Sequence, residues 1–326
     1  MNAAPGPIAP FLAGGGTLVL DGGLATELEK AGFDLDHPLW SARVLQDAPD
    51  AIAAVHRAYL EAGADCITTA SYQASVRGFE REGLSAAHAQ ELLRRSVRLA
   101  REARDAFWSQ PGNRVGRNGP LVAASLGPYG ACLANGAEYT GDYDLDEQGL
   151  VAFHRERFLL LADTQADLFA CETIPSAAEA RALLRLLPER PAVRAWISFS
   201  CRDGERLSDG TRFSEAARLA GSHPQVVAVG VNCTAPEHVE ALLRAAARET
   251  AKPLVAYPNS GERYDAVARR WRGSSDPADW GERAKLWRGA GARLVGGCCR
   301  TGPAHVRAVR AAVARTESGK GSGLES

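Results

Sequence analysis

Three cysteines stand at the ends of two apolar runs that lie far apart in the chain. Cys233 closes the run 226–232, and Cys298 and Cys299 directly follow the run 294–297. Neighbouring cysteines rarely reach the geometry of a disulfide. Three thiolates are a ligand set that suits zinc, which keeps a fourth position open at catalytic sites. The alternative is that the three side chains are small buried residues that fill gaps in a core.

The chain around these cysteines repeats a short apolar run followed by an amphipathic helical stretch. The eight runs lie at 17–23, 66–71, 120–128, 167–173, 192–200, 226–233, 253–260 and 294–299. Near-continuous apolar runs are typical of parallel strands that are covered on both faces. The unbroken alternation favours an α/β fold of the (β/α)8 TIM barrel type over an open sheet. It predicts one barrel domain at 17–315, a flexible lead-in at 1–16 and a disordered tail at 316–326.

Composition narrows the function further. The chain has 326 residues and a formal net charge of −1, so it carries no electrostatic footprint for nucleic acid or an anionic membrane. The N-terminus lacks the basic and apolar regions of a secretory signal, and no apolar run approaches the ~18 residues of a membrane span. Seven cysteines without a signal indicate a reducing compartment. We therefore predict a cytoplasmic protein with neither a nucleic-acid nor a membrane partner.

A barrel of this kind places its chemistry at the carboxyl ends of the strands. Cys233 and the pair Cys298 and Cys299 follow the sixth and eighth runs, and alternate strands fill the same interior layers, so the three thiols can converge. The other polar residues at strand ends that we consider for a site are Asp21, Thr69, Ser71, Glu172 and Asn232.

Several short motifs accompany these residues in collinear order. They are LDGG at 20–23, TASYQ at 69–73, GPYG at 127–130, CETIP at 171–175, GVNC at 230–233, YPNSGE at 257–262 and GGCCR at 296–300. The ordered set resembles the homocysteine S-methyltransferase family over nearly the whole barrel. The resemblance implies a zinc-dependent barrel that methylates the thiol of L-homocysteine to give L-methionine. Its zinc ligands would be Cys233, Cys298 and Cys299, and the substrate sulfur would be the fourth.

The resemblance also implies residues that hold an amino-acid substrate. Asp21 and Glu172 become candidates for binding the α-ammonium group, and backbone amides or hydroxyls near Thr69 and Ser71 for the α-carboxylate. Asn232 of the GVNC motif is assigned to the same substrate site. Other interpretations remain open: Asp21 before two glycines can form a turn, Glu172 can pair with or cap the following helix, and small hydroxyl residues in a strand need no function.

The methyl donor must be an onium compound, because its leaving group then departs neutral. The loop after the third run holds aromatic and carboxylate side chains that suit the binding of a cation. The candidates for binding the methyl donor there are Tyr129, Glu138 and Tyr139. This loop resembles that of family members that use S-methylmethionine or S-adenosylmethionine. Betaine-dependent relatives carry a longer C-terminal arm, whereas this chain stops soon after the last predicted barrel helix. A sulfonium donor is therefore favoured over betaine. The alternative is an ordinary polar surface loop.

Two other functions stay open at this point. The acceptor can be another small thiol or a selenol, and a non-catalytic barrel can bind zinc or thiols without turnover. The sequence distinguishes neither S-methylmethionine from S-adenosylmethionine nor one oligomeric state from another. The segment 262–280 is longer than a usual connection of this fold and is a candidate lid.

Overall fold

The computed structural model describes residues 6–35, 39, 41–265, 270–272 and 276–314. Its main sheet contains β1 (Leu18–Val19), β2 (Cys66–Thr68), β3 (Leu121–Leu126), β4 (Leu168–Ile174), β5 (Ala195–Phe199), β6 (Val226–Asn232), β7 (Leu254–Tyr257) and β10 (Ala292–Val295). These eight strands are parallel and run in the order β1-β10-β7-β6-β5-β4-β3-β2. A parallel bridge between Leu20 and Cys66 joins β1 to β2, the two ends of this order, and closes the barrel. The predicted TIM barrel is confirmed.

The seam between β1 and β2 is fastened by two aspartate side chains. At its lower end, Asp65 Oδ2 accepts a hydrogen bond of 3.0 Å from the amide of Val19, and the amide of Asp65 donates to the Val19 carbonyl at 2.7 Å. At its upper end, Asp21 Oδ2 accepts from the amide of Thr68 at 2.7 Å, and the amide of Asp21 donates to the Cys66 carbonyl at 3.1 Å. Side-chain oxygens thus extend a ladder that β1, with two residues, is too short to complete.

Helices cover the outside of the sheet and connect its strands. They are α1 (Ala9–Leu12), α2 (Leu24–Lys30), α3 (Ser41–Asp47), α4 (Pro49–Ala62), α5 (Val76–Arg81), α6 (Ala86–Ser109), α7 (Tyr129–Leu133), α8 (Glu147–Ala162), α9 (Ala177–Leu186), α10 (Phe213–Ser222), α11 (Pro236–Ala246), α12 (Pro277–Gly289) and α13 (Pro303–Val313). Sequence signals define several starts: the side chains of Ser85, Asp146 and Ser176 cap α6, α8 and α9. Proline opens α4, α11, α12 and α13.

Alternation along the strands divides the core into two clusters. Inward residues such as Cys66 and Trp196 fill the barrel interior, and outward residues such as Ile67 pack under the helices. The predicted flexible lead-in differs from the structure over its described part. Ile8 and Phe11 are buried in the interior cluster, because helix α1 lies across the amino ends of the strands and covers apolar side chains there.

Two further predictions concern segments at the edge of the description. The tail 316–326 lies outside the described residues. In the candidate lid 262–280, the strands β8 (Arg263–Asp265) and β9 (Arg270–Arg272) form an antiparallel hairpin, and α12 begins at Pro277. The residues 266–269 and 273–275 lie outside the described part, and the lid role stays a prediction. Among the described residues, none of the helices combines the length and the apolar character needed to cross a bilayer.

Candidate metal and substrate site

The three cysteines converge at the carboxyl end of the barrel. β6 delivers Cys233 and β10 delivers Cys298 and Cys299, and both strands flank β7. The three Sγ atoms lie within 4.8 Å of one another, and those of Cys233 and Cys299 are 3.6 Å apart. Zinc bound by thiolates at ~2.3 Å in a tetrahedron needs sulfurs about 3.8 Å apart. The donor set and its spacing therefore fit a zinc ion.

Backbone contacts hold the cysteine loops in place. Cys233 has a left-handed φ of 48°, which costs energy for a residue with a side chain and requires support from its surroundings. Its amide donates to the carbonyl of Tyr257 at 3.4 Å, while the amide of Cys298 donates to the Pro258 carbonyl at 2.8 Å. The amide of Ser260 donates to the carbonyl of Cys299 at 3.0 Å. The segment after β7 thus ties the two cysteine loops together.

The thiols also interact electrostatically. Hydrogen bonds from Cys233 and Cys298 hold the pKa of the Cys299 thiol well below its ordinary value. The contacts with Cys233 and Cys299, together with burial, raise the pKa of Cys298. One thiolate in the cluster is therefore stabilised by its neighbours, and a cation would be needed to ionise the others. A metal ion supplies such a charge, since thiols bind metals in the deprotonated form.

Asn232, predicted to lie in the substrate site, crosslinks two strand ends. Its Oδ1 accepts from the amide of Thr173 at 2.7 Å, and its Nδ2 donates to the Thr173 hydroxyl at 2.7 Å. Nδ2 also lies 3.9 Å from Cys298 Sγ. Because Thr173 has a left-handed φ of 60°, this pair of hydrogen bonds stabilises a strained turn after Glu172. The observed contacts of Asn232 therefore support the backbone at Thr173 and one metal-ligand candidate.

Glu172 lies at the end of β4 in a nearly closed environment. The Ser125 hydroxyl donates to its Oε1, and the Tyr257 hydroxyl donates to its Oε2 at 3.0 Å. Tyr257 in turn accepts from Trp196 Nε1 at 2.9 Å and lies 2.5 Å from the Ser198 hydroxyl. Burial raises the pKa of Glu172 to about 7, against the opposing effect of its two hydrogen bonds. The carboxylate is thus held in one orientation and is costly to ionise without a cation.

Asp21 forms the second buried carboxylate at this end of the barrel. Burial raises its pKa to about 8, the hydrogen bond from the Thr68 amide opposes this, and the charge of Glu172 adds to it. No cation among the described residues lowers the pKa of either carboxyl group. Two buried carboxylates that interact and have no cation of their own are suited to bind a cationic ligand.

The hydroxyls of Thr69 and Ser71 are engaged within the protein. Ser71 donates to the Ser125 carbonyl at 2.7 Å, so the 2.7 Å contact between the two hydroxyls uses the proton of Thr69. The amide of Ser125 donates to Thr69 Oγ1 at 3.0 Å. Both side chains therefore join β2 to β3 and have no free proton for a substrate carboxylate.

Two of the three donor-side candidates lie beside the thiols. The Tyr139 hydroxyl is 3.4 Å from Cys233 Sγ. Glu138 Oε2 is buried and has no hydrogen-bond partner among the described residues, and burial raises the pKa of this carboxyl group. The Ser200 hydroxyl donates to the Glu138 carbonyl at 3.2 Å and anchors this part of the loop to β5.

Tyr129, the third candidate, lies in an aromatic cluster instead. Its ring packs edge-on against Tyr143 at 5.3 Å and Phe153 at 4.9 Å between centroids. Sequence reasoning gave no role to Thr68, Ser125 or Tyr257, which hold the two buried carboxylates. Thr68 and Ser125 were marked only by their position near strand ends, which many structural hydroxyl residues share, whereas Tyr257 also begins the motif at 257–262.

Comparisons with known proteins identify the family of the chain. The model of the family described as homocysteine S-methyltransferase matches residues 18–313. Homocysteine S-methyltransferase YbgG of Bacillus subtilis is 48% identical, covering 90% of this chain and 93% of its own. Selenocysteine Se-methyltransferase of Brassica oleracea is 45% identical, covering 90% and 88%. The metallated form of the homocysteine methyltransferase MmuM from Escherichia coli superposes with a TM-score of 0.83 at 45% identity, covering 94% and 99%. This chain belongs to the homocysteine S-methyltransferase family.

Proposed function

We propose that this chain transfers a methyl group from a sulfonium donor to the thiol of L-homocysteine, forming L-methionine, with zinc as its metal. The supporting observation is the cluster of Cys233, Cys298 and Cys299 within 4.8 Å, on the same barrel end as the buried carboxylates of Asp21 and Glu172. The metallated relative supports a metal ion, and the thiolate donor set favours zinc among biological metals.

The three cysteines would hold the ion and leave one coordination position open. A zinc ion there would lower the pKa of a substrate thiol and so supply a thiolate at neutral pH. The chain's own contribution is to fix the sulfurs. The backbone hydrogen bonds of Cys233 and Cys298, and the amide of Asn232 next to Cys298, keep the ligand positions formed.

Glu172 and Asp21 would bind the α-ammonium group of homocysteine. Ser125 and Tyr257 orient the Glu172 carboxylate, so it meets the ammonium without reorganisation. The α-carboxylate would lie near the rim formed by Thr69 and Ser71, whose mutual hydrogen bonds shape that rim rather than donate to the substrate.

Glu138 and Tyr139 would receive the sulfonium donor. A sulfonium is a permanent cation that carries no ionisable proton. The buried Glu138 carboxylate oxygen without a hydrogen-bond partner and the aromatic face of Tyr139 would both stabilise such a cation. In the transfer, a bond forms between the acceptor sulfur and the methyl carbon while the methyl–sulfonium bond breaks. Its electron pair stays on the leaving sulfur, which departs as a neutral thioether. Tyr129 would contribute by packing the loop rather than by contacting the donor.

A selenol acceptor is the second candidate, because the chain is 45% identical to a selenocysteine Se-methyltransferase. A barrel that binds zinc or thiols without turnover is the remaining alternative. A reducing compartment would keep the cysteine thiols available to a metal, and we therefore propose a cytoplasmic location.

The deciding experiment measures zinc per chain and methylated product in the same preparation. Homocysteine and selenocysteine are tested as acceptors with S-methylmethionine, S-adenosylmethionine and betaine as donors. We expect one zinc per chain and methionine from a sulfonium. A higher kcat/KM for selenocysteine than for homocysteine would favour a selenol acceptor. Zinc without product from any combination of acceptor and donor would favour a barrel that binds zinc or thiols without turnover. Absence of zinc from a freshly reduced sample would refute the metal assignment.

A further inference from the structure

A fully buried carboxylate outside the site has no part in the function so far. Glu179 lies on α9 with a relative exposure of 0%. Its Oε1 accepts a hydrogen bond of 2.6 Å from the backbone amide of Tyr129 and lies 2.8 Å from His154 Nε2. Burial lowers the pKa of His154, which favours the neutral ring, and a carboxylate oxygen only accepts, so Nε2 carries the ring proton. Glu179 therefore joins α8 and α9 to the first residue of α7.

The loop over residues 129–143 begins at this carboxylate. Tyr129 opens the loop with its amide on Glu179, and the Tyr143 ring packs against the Tyr129 ring near the other end. Burial, followed by the charge of Glu179, raises the pKa of the Tyr143 hydroxyl. Glu179 thus holds the start of the loop directly, and the contact between the Tyr129 and Tyr143 rings links that start to the other end.

The interior of the loop is packed tightly enough to transmit a shift. A Cβ added to Gly130 would clash with the backbone nitrogen of Glu138, so these two segments are in direct contact. The amide of Tyr139 donates to the Gly136 carbonyl at 3.0 Å, and that of Gly141 to Ala137 at 2.8 Å. A displacement at the start of the loop must therefore move the residues that face the cysteines.

We propose that Glu179 is a positioning residue for the donor side of the site. By holding the amide of Tyr129, it sets where Glu138 and Tyr139 stand relative to Cys233. The inference rests on the proposed function in one respect, that the sulfonium donor binds at these two residues. The competing explanation is that Glu179 only stabilises the packing of α8 against α9.

The test compares Glu179→Ala with Glu179→Gln and a matched control, Glu147→Ala. Glu147 also links α8 to α9, through ion pairs of 2.7 Å and 3.2 Å with Arg181 and Arg185, and these contacts do not involve Tyr129. Misplacing a binding group by ~1 Å costs up to about 100-fold in rate. We expect Glu179→Ala to lower kcat/KM for the sulfonium by roughly 10- to 100-fold, with homocysteine affinity and zinc content unchanged. The glutamine keeps an acceptor oxygen, so it should restore kcat/KM to within about fivefold.

A second readout is independent of activity. Hydrogen exchange of the amides at 137–143 should accelerate at least about tenfold in Glu179→Ala and stay unchanged in Glu147→Ala. Unchanged exchange in a folded Glu179→Ala, or an equal loss for donor and homocysteine, would overturn the proposal. If the alanine variant does not fold, Glu179→Asp, which withdraws the carboxylate by one methylene, takes its place with the same expectations. A wild type inactive with every sulfonium would refute the proposed function, while the exchange measurement would still decide the role of Glu179.

Discussion

Replacing Glu172 by glutamine removes a charge from the site and preserves its shape. The amide oxygen can keep the hydrogen bond from Ser125. On the other side the new amide N–H can donate to the Tyr257 oxygen, provided that the Tyr257 hydroxyl turns to Ser198. The Ser198 hydroxyl lies 2.5 Å away and can act as the acceptor. The network therefore accommodates Glu172→Gln, and the variant isolates the contribution of the charge.

The size of the effect follows from burial. Glu172 is only 7% exposed, so water screens the attraction of its carboxylate to an ammonium group only weakly. A hydrogen bond to a charged partner contributes about 1.5–3 kcal/mol, and Asp21 remains to bind part of the ammonium charge. We expect the loss to be about 2–3 kcal/mol, which corresponds to a roughly 30- to 150-fold higher Kd for L-homocysteine.

Isothermal titration of the zinc-loaded protein with L-homocysteine measures this Kd, and metal analysis of the same sample measures zinc. The matched control is Glu138→Gln, which removes a carboxylate from the donor side. It should leave the Kd for homocysteine within about twofold and raise KM for the sulfonium instead. A Kd within threefold of wild type for Glu172→Gln would refute ammonium binding there, and a loss of zinc would show that the variant acts through the cysteines.

Three further results are expected. Cys233→Ala should abolish stoichiometric zinc binding and activity, whereas Cys201→Ala, at a buried thiol outside the cluster, should retain both; metal analysis decides. Asp21 has a folded-state pKa of about 8 against an ordinary value of 3.8, so its contribution to the free energy of unfolding is lost as pH rises through that window. The free energy of unfolding of the metal-free wild type, measured by denaturant titration, should fall by up to roughly 1.4 kcal/mol per pH unit in this window. That of Asp21→Asn should depend less steeply on pH; equal slopes for the two proteins would refute the pKa shift of Asp21. Gly130→Ala should raise KM for the sulfonium at least about tenfold with homocysteine affinity unchanged, because the methyl group displaces Glu138; unchanged kinetics would show that the loop yields elsewhere.

The cluster of three cysteines could be predicted from the sequence because two independent rules agree there. Residue type indicates a thiolate site, and the barrel rule brings the ends of the sixth and eighth strands together. The direction of a polar side chain at a strand end is harder to predict. Asn232 turns to Thr173 because that residue has a left-handed backbone, and Thr68 rather than Thr69 holds Asp21. Both outcomes depend on local twist, which periodicity does not report.

Glu179 shows a second limit. Ser176 followed three residues later by Glu179 is the signature of a capping box, in which both side chains serve the helix start. Only half of it forms: Ser176 Oγ accepts from the Glu179 amide at 3.1 Å, and the carboxylate instead reaches Tyr129, 50 positions away in sequence. The local motif marks the helix boundary and gives no information about the long-range partner of the same residue.

The seam between β1 and β2 has a consequence for how this chain can change over generations. Asp21 completes the ladder of the barrel through Thr68, and its charge interacts with that of Glu172 at the same end of the barrel. A substitution at position 21 must therefore meet two requirements, the hydrogen bond that closes the barrel and the proposed binding of the substrate. Asparagine satisfies the first requirement alone, and glutamate, one methylene longer, shifts both groups together. Divergence toward a new substrate is thus easier through the loops around the site than through the residue that closes its wall.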